Sequence, residues 1–216
     1  MISHLLDEDT LKRFYGHLGE RGITDVIPYS KGNTSLVFTG QLKGEKVLIK
    51  LQRRDSPRKT LKREAEILEF LKGQGITSEL IFAGSFEGLD YLVRCFMDGE
   101  PILYADVEKR HIIEIAQKTL KLDQLGVDHG QIQGGKHILI GKDVWIIDFE
   151  KASLRRKPKN LTSAMAMVFL NDNTISKKIR EKFGIEEEFL DALKDAVGVY
   201  KKSGNSAKVL ELLSTL

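Results

Sequence analysis

The segment Val127-Asp128-His129-Gly130-Gln131-Ile132-Gln133-Gly134-Gly135-Lys136-His137-Ile138-Leu139-Ile140, followed by Val144-Trp145-Ile146-Ile147-Asp148-Phe149-Glu150, organises the chain. A polar, glycine-containing loop runs into a short apolar strand, a Gly141-Lys142-Asp143 turn and a second apolar strand that ends on an acid. Alone, this is a β-hairpin whose terminal Asp148 either caps the next element or carries chemistry. The flanking sequence decides between the two.

Upstream, Val107 to Leu125 places Ile112, Ile115, Ala116, Leu120 and Leu122 at mostly helical intervals and leads into the loop. Before it, Asp98-Gly99-Glu100-Pro101 breaks the pattern and reads as a hinge between an N-terminal lobe, residues 1–97, and a C-terminal lobe, 98–216. The first lobe opens with an amphipathic helix over Asp7 to Glu20, with Leu11, Phe14, Tyr15 and Leu18 on one face. Strands follow at Thr24–Tyr29, Leu36–Leu42 and Lys46–Leu51. Ser56-Pro57 signals a helix start, Ser as N-cap and Pro at the first helical position, and Leu61, Ala65, Leu68 and Leu71 give that helix its apolar face. Two more strands, Leu80–Phe86 and Tyr91–Met97, complete five antiparallel strands with one inserted helix. Downstream of Asp148, helical patterns at Leu161–Leu170, Ile175–Phe183, Glu186–Lys201 and Ala207–Leu216 make the second lobe mainly helical. The expected fold class is α+β.

Composition excludes several classes. A chain of 216 residues can bury a substantial core, and 41% hydrophobic content is ordinary for a globular protein. The net charge of +3 is a small difference between 34 basic and 31 acidic residues, so nucleic acid is not indicated by charge alone. A single cysteine, Cys95, excludes an internal disulfide framework and suits a reducing cytoplasm. Met1 to Glu8 lacks the charge and apolar core of a signal peptide, and no apolar run is long enough to span a bilayer. The Lys- and Glu-rich surface would suit a heat-adapted organism.

Three features carry chemistry. The turn Lys31-Gly32-Asn33-Thr34-Ser35 lies between two strands and is either an ordinary hairpin turn or one that presents backbone N–H groups to phosphate oxygens. In Val47-Leu48-Ile49-Lys50, a lysine sits among buried positions, where an ammonium is costly unless it meets an anion. Fourteen and sixteen residues on, Glu64 or Glu66 of the inserted helix can supply that anion.

In this order of elements the sequence resembles the protein-kinase-like fold, in a two-lobe form with a five-stranded N-lobe and a reduced C-lobe. The resemblance covers roughly residues 25 to 170. It implies that ATP and Mg²⁺ are bound, with Gly32, Asn33, Thr34, Ser35 and Val37 over the phosphates. Lys50 matches the strand lysine on the phosphates and Glu64 its partner. Cys95 to Met97 match the hinge that meets adenine through main chain, and Asp148 matches the acid that holds Mg²⁺. Glu150 stands where the family's Asp-Phe-Gly has glycine.

The loop departs from the pattern. Aligning His129-Gly130 with the His-Gly-Asp loop of RIO-like kinases puts Gln131 at the catalytic aspartate, seventeen residues before Asp148, and Lys136 at the metal-binding asparagine. Gln cannot hold a proton at neutral pH, and a charged Lys cannot ligate Mg²⁺. Asp128 is the nearest carboxylate and the first candidate to orient a substrate hydroxyl, with Gln131 second. Lys136 can neutralise phosphate, and His137 is either a metal ligand or a histidine bonded to backbone. The loop is similar to that of small archaeal proteins predicted to be Ser/Thr protein kinases related to the RIO group. That resemblance implies an atypical kinase that transfers the ATP γ-phosphoryl group to a hydroxyl. The alternatives are a nucleotide-binding pseudokinase or scaffold without turnover, and a small-molecule kinase. No Ala-Pro-Glu motif follows Asp148. The basic run Lys151, Arg155, Arg156, Lys157 and Lys159 either grips an acidic substrate or RNA, or is a solvated charged segment.

Overall fold

The computed structural model describes residues 6–56 and 58–216. The chain divides into two compact units, Met1–Met97 and Asp98–Leu216.

The first unit contains α1 (Glu8–Gly19), β1 (Ile23–Lys31), β2 (Ser35–Leu42), β3 (Glu45–Gln52), α2 (Leu61–Phe70), β4 (Leu80–Phe86) and β5 (Leu89–Cys95). Its five strands form an antiparallel sheet in the order β1-β2-β3-β5-β4. Helix α1 starts at Asp7, whose side chain accepts from the Thr10 N–H at 2.8 Å. It buries Phe14 and Leu18 against the sheet, and Phe14 meets Phe38, Phe86 and Tyr91 at ring distances of 5.8, 5.2 and 5.8 Å.

Strand alternation sets up the site. Val47, Ile49 and Leu51 of β3 belong to the aromatic core with Phe14. By the two-residue period of a strand, Leu48, Lys50 and Gln52 must point to the other face of the sheet. That face is covered by α2, so β3 is buried on both sides from Val47 to Gln52. The hairpins on either side close through two-residue turns with positive φ, Lys43-Gly44 and Glu87-Gly88. Pro28 sits in β1, the sheet edge, where its missing N–H costs least.

Several boundaries differ from the sequence reading. Helix α2 begins at Leu61, not at Ser56-Pro57. Ser56 instead forms a local turn, its hydroxyl donating to the Arg58 carbonyl at 2.9 Å, and Pro57 lies outside the described residues. Strand β5 runs from Leu89 to Cys95, two residues earlier at each end than expected.

The second unit contains β6 (Glu100–Pro101), α3 (Lys109–Gln124), β7 (Ile138–Ile140), β8 (Val144–Ile146), α4 (Asn160–Met165), α5 (Thr174–Phe183), α6 (Glu187–Ser203) and α7 (Ala207–Ser214). Strands β6, β7 and β8 form a small antiparallel sheet. Glu100-Pro101, read from sequence as a breaker, is therefore a short edge strand against β7. The helix expected from Leu161 to Leu170 is α4 followed by one π-helical stretch, Ala166–Leu170. Among the described residues no helix is long and apolar enough to cross a membrane.

Candidate active site

In the first unit, Lys50 and Glu64 meet across the face that β3 shares with α2. Lys50 Nζ donates to both Glu64 oxygens, at 2.8 and 2.9 Å, with side-chain exposures of 9% and 1%. Of the two acids the sequence offered, Glu64 is the partner and Glu66 is exposed. Burying two charges this deeply is not an efficient source of stability.

The turn at Gly32–Thr34 is tied down from below. The Arg53 N–H and Gln52 Nε2 both donate to the Thr34 carbonyl at 2.9 Å, and Arg53 Nη1 donates to the Gly32 carbonyl at 2.8 Å. The Gly32 N–H closes the turn on the Ser35 carbonyl at 2.9 Å. Two of the turn's carbonyls are thus consumed by β3 and the residue after it, while Asn33 stands exposed at the tip. Ser35 and Val37 are buried in β2. Sequence reading missed Gln52 and Arg53, which lie two and three residues beyond Lys50.

At the end of β5, the Cys95 N–H is bonded to the Glu79 carbonyl at 3.0 Å and the Phe96 N–H to the Lys46 carbonyl at 3.1 Å. Of the three main-chain donors from Cys95 to Met97, that of Met97 is the one still open to a ligand among the described residues. Burial pushes the Cys95 thiol above its ordinary value, which leaves it protonated and unreactive at neutral pH.

In the second unit, the loop after α3 is built around His129. Its Nε2 lies 2.9 Å from the Ile147 carbonyl, and its Nδ1 accepts from the Gln131 N–H at 3.3 Å. Those two bonds require a neutral ring protonated on Nε2. The ring also stands edge-on to Phe149 at 4.7 Å. His129 therefore ties the loop to the end of β8 and places Gln131. Asn160, the first residue of α4, accepts from the His129 N–H at 2.9 Å and donates to the Val127 carbonyl at 2.6 Å. Asp123 of α3 holds Asn160 in turn, through its main-chain and side-chain nitrogens at 2.7 Å each.

Burial pushes the His129 imidazole from its ordinary value of 6.5 down to about 4. As pH falls through 6.5 the unfolded chain protonates this ring while the folded chain does not. Stability is thus lost progressively from pH 6.5 to about 4, with no further slope from this group below that. Between pH 7 and pH 5 the loss is expected to be roughly 2 kcal/mol. Urea unfolding at the two pH values measures it. A His129→Gln variant should lose this component of acid sensitivity whatever its absolute stability, and an unchanged pH slope would contradict the assignment.

Asp128 is buried and exchanges both main-chain hydrogen bonds with Ser153, at 2.9 Å each. One carboxylate oxygen, Oδ2, accepts from Arg156 Nε at 2.6 Å, while Oδ1 carries no hydrogen bond from a described residue. Arg156 lies over Gly130, where a Cβ would come within 2.7 Å of its Nη2 at a φ of +80°. The positive φ favours glycine there, whereas the Arg156 end could shift to admit a Cβ.

Asp128, Gln131 and His137 line one cavity of about 280 Å³, together with Lys159, Asn160 and Ser163. Gln131 Oε1 is buried in the wall with no hydrogen-bond partner among the described residues. A buried amide oxygen left bare is costly, and this one presents almost no surface to the cavity, so a ligand donor meets it when the Gln131 side chain turns. His137 Nδ1 lies 3.6 Å from Asp148 Oδ2. Asp148 occupies the left-handed region, at φ 69° and ψ 70°, and makes no side-chain cap to the 3₁₀ turn after it. Non-glycine residues held there concentrate at functional sites. Lys136 is exposed and does not line the cavity. Among the described residues no group of three or more His, Cys, Asp or Glu is placed to hold a metal ion.

An α+β chain thus presents a buried Lys–Glu pair beside a tethered turn in one unit, and a histidine-braced loop with a strained acid in the other. No protein-family model matches the chain. It is 38% identical over 114 residues to the "Uncharacterized protein MJ1211" of Methanocaldococcus jannaschii, a match covering 97% of that protein and 50% of this chain. The chain belongs to the same family as this archaeal protein.

Proposed function

We propose that the protein is an ATP-dependent phosphotransferase on a protein-kinase-like framework, passing the γ-phosphoryl group of Mg-ATP to a Ser/Thr hydroxyl. The observation that carries the reading is the bidentate Lys50–Glu64 pair, in which an acid fixes a lysine on a strand next to the Gly32–Thr34 turn. A fixed ammonium of this kind holds phosphate oxygens. In this reading the turn and Lys50 hold the phosphates, and Met97 offers its N–H to the adenine.

Mg²⁺ enters with the nucleotide. It favours oxygen ligands and is commonly bound by one or two carboxylates plus substrate phosphates, and Asp148 would be the carboxylate that holds it. His137 stands beside that carboxylate, its Nδ1 3.6 Å from Asp148 Oδ2. Lys136, exposed, is available to phosphate charge. The acceptor hydroxyl donates to Asp128 Oδ1, or to Gln131 Oε1 once that side chain turns toward the cavity that both residues line. Its oxygen bonds to Pγ as the bond from Pγ to the β,γ-bridging oxygen breaks, and ADP departs. The proton passes to Asp128, or to a phosphoryl oxygen where Gln131 does the orienting, because an amide has no basic site. Phosphoryl transfer rests on positioning and charge stabilisation, which tolerates that difference.

Binding without turnover is the second reading, favoured by one observation: the residue braced by His129 at the loop's centre is an amide, not a carboxylate. Asp148→Asn tests the first reading. Asparagine tolerates the left-handed backbone, so the fold should persist, whereas Asp148→Ala should be about 1 kcal/mol less stable. Transfer from γ-³²P-labelled ATP should fall about 10²–10³-fold in Asp148→Asn. Equal transfer by this variant and wild type would remove Asp148 from the chemistry, and Mg-ATP binding with no transfer by wild type would favour the second reading.

A further inference from the structure

We infer that the acceptor is a serine or threonine in an acidic polypeptide segment, read by the cationic strip that follows Asp148 and received by the cavity at Gln131; this rests on the phosphotransferase reading above.

The strip runs from Lys151 to Lys159 through an irregular segment that ends at α4. Of its five cations, Arg156 is committed to Asp128 and to the Lys151 carbonyl. Lys151, Arg155, Lys157 and Lys159 are exposed and form no ion pair with any described residue. Elsewhere on the same unit some exposed cations find acids, Arg110 with Glu108, Lys177 with Asp172, Lys182 with Asp106 and Lys208 with Glu211, while others, such as Lys142, Lys178 and Lys194, stand singly without an ion pair to any described residue. A run of cations left unmatched over so few residues is an attractive field for an anionic ligand.

The strip leads into the cavity. Lys159 lines it beside Ser163 and Gln131, so the last cation of the strip opens onto the same cavity as the residue whose amide oxygen is unpaired. About 280 Å³ accommodates a side chain and its immediate backbone. A hydroxyl there meets the Gln131 amide once that side chain turns toward the cavity, and acids flanking that hydroxyl meet Lys159, Lys157 and Arg155.

Two features favour a polypeptide over RNA. No aromatic side chain lies between Lys151 and Asn160 on which a base could stack, and stacking is the usual means of holding single-stranded RNA. Within the strip Leu154 is 53% exposed, an apolar contact suited to a side chain.

The test uses the full chain and a fluorescein-labelled peptide with one serine followed by four glutamates. Its controls are the same peptide with lysines in place of glutamates, and a single-stranded RNA of equal charge. Binding by anisotropy at low ionic strength should occur with the acidic peptide, weaken with added salt, and be absent with the basic one. The combined variant Arg155→Gln, Lys157→Gln, Lys159→Gln should weaken it about tenfold. Removing as much charge elsewhere, in Lys201→Gln, Lys202→Gln, Lys208→Gln, should not. With Mg-ATP present, the serine should be phosphorylated with a higher KM in the first variant. Equal loss in both triple variants, no preference for the acidic peptide, or tighter binding of RNA that the strip variant alone abolishes would each overturn the inference. Mg-ATP binding by wild type is measured in parallel: its presence with no acidic-peptide preference defeats this inference alone, and its absence defeats the phosphotransferase reading.

Discussion

Replacing Lys50 by methionine is expected to destabilise the first unit by about 3–5 kcal/mol at neutral pH. The lysine is not itself a strong stabiliser; its loss leaves the Glu64 carboxylate, 1% exposed, without a cation. A charge stranded in that environment breaks the local packing around it. Such a loss is large beside a typical total stability of about 5–15 kcal/mol. Removing both charges should behave differently. Lys50→Met, Glu64→Leu fills the same space with apolar atoms, and a buried pair exchanged this way is often neutral or better. The double variant should therefore recover most of the stability while losing nucleotide. Urea unfolding of the single and double variants gives the comparison, and a double variant less stable than the single would show that the pair is structural.

The second large effect belongs to Asp123. Its carboxylate accepts four hydrogen bonds: from Asn160 N and Nδ2, from the Leu161 N–H at 3.1 Å, and from the Tyr200 hydroxyl at 2.7 Å. It therefore joins α3, the start of α4 and α6. Burial and this carboxylate together raise the Tyr200 hydroxyl well above its ordinary value, which keeps it a donor. Asp123→Ala leaves several donors without an acceptor at once. At about 1–3 kcal/mol for each buried group left bare, a cost on the order of 3–5 kcal/mol is expected after water re-satisfies some of them. Tyr200→Phe removes one bond only and should cost about 1 kcal/mol. Because Asn160 also fixes the Val127 carbonyl and the His129 N–H, Asp123→Ala should disturb the loop at Gln131 too. Denaturant unfolding measures both variants, and near-equal losses would contradict the shared role of Asp123.

What the sequence made legible follows from periodicity. Strands β2 and β3 and helix α1 were readable because apolar spacing reports which face is buried, and the lysine on β3 stood out because it broke that pattern. The residues alone left Glu64 and Glu66 open as its partner, the resemblance to the kinase-like pattern favoured Glu64, and the fold buries Glu64 and exposes Glu66. The start of α2 was misread because Ser56-Pro57 is locally competent as a cap, while the Ser56 hydroxyl closes a turn on Arg58 instead. Long-range partners were out of reach. Nothing near Asp128 announces Arg156 twenty-eight residues away, or near Asp123 the Asn160 it holds thirty-seven residues on. The bare oxygen of Gln131 is likewise a property of the folded wall, invisible in a row of letters. Of the candidate loop residues, Asp128, Gln131 and His137 share a cavity, whereas Lys136 stands outside it.

The most direct measurement is titration calorimetry of Mg-ATP into the wild-type chain and into Lys50→Met, Glu64→Leu, whose folding is confirmed by its unfolding curve. One saturable site is expected in the wild type, dependent on Mg²⁺ and absent from the folded double variant. Wild-type protein that takes up no Mg-ATP, or a double variant that binds it equally well, would contradict nucleotide binding at the Lys50–Glu64 pair.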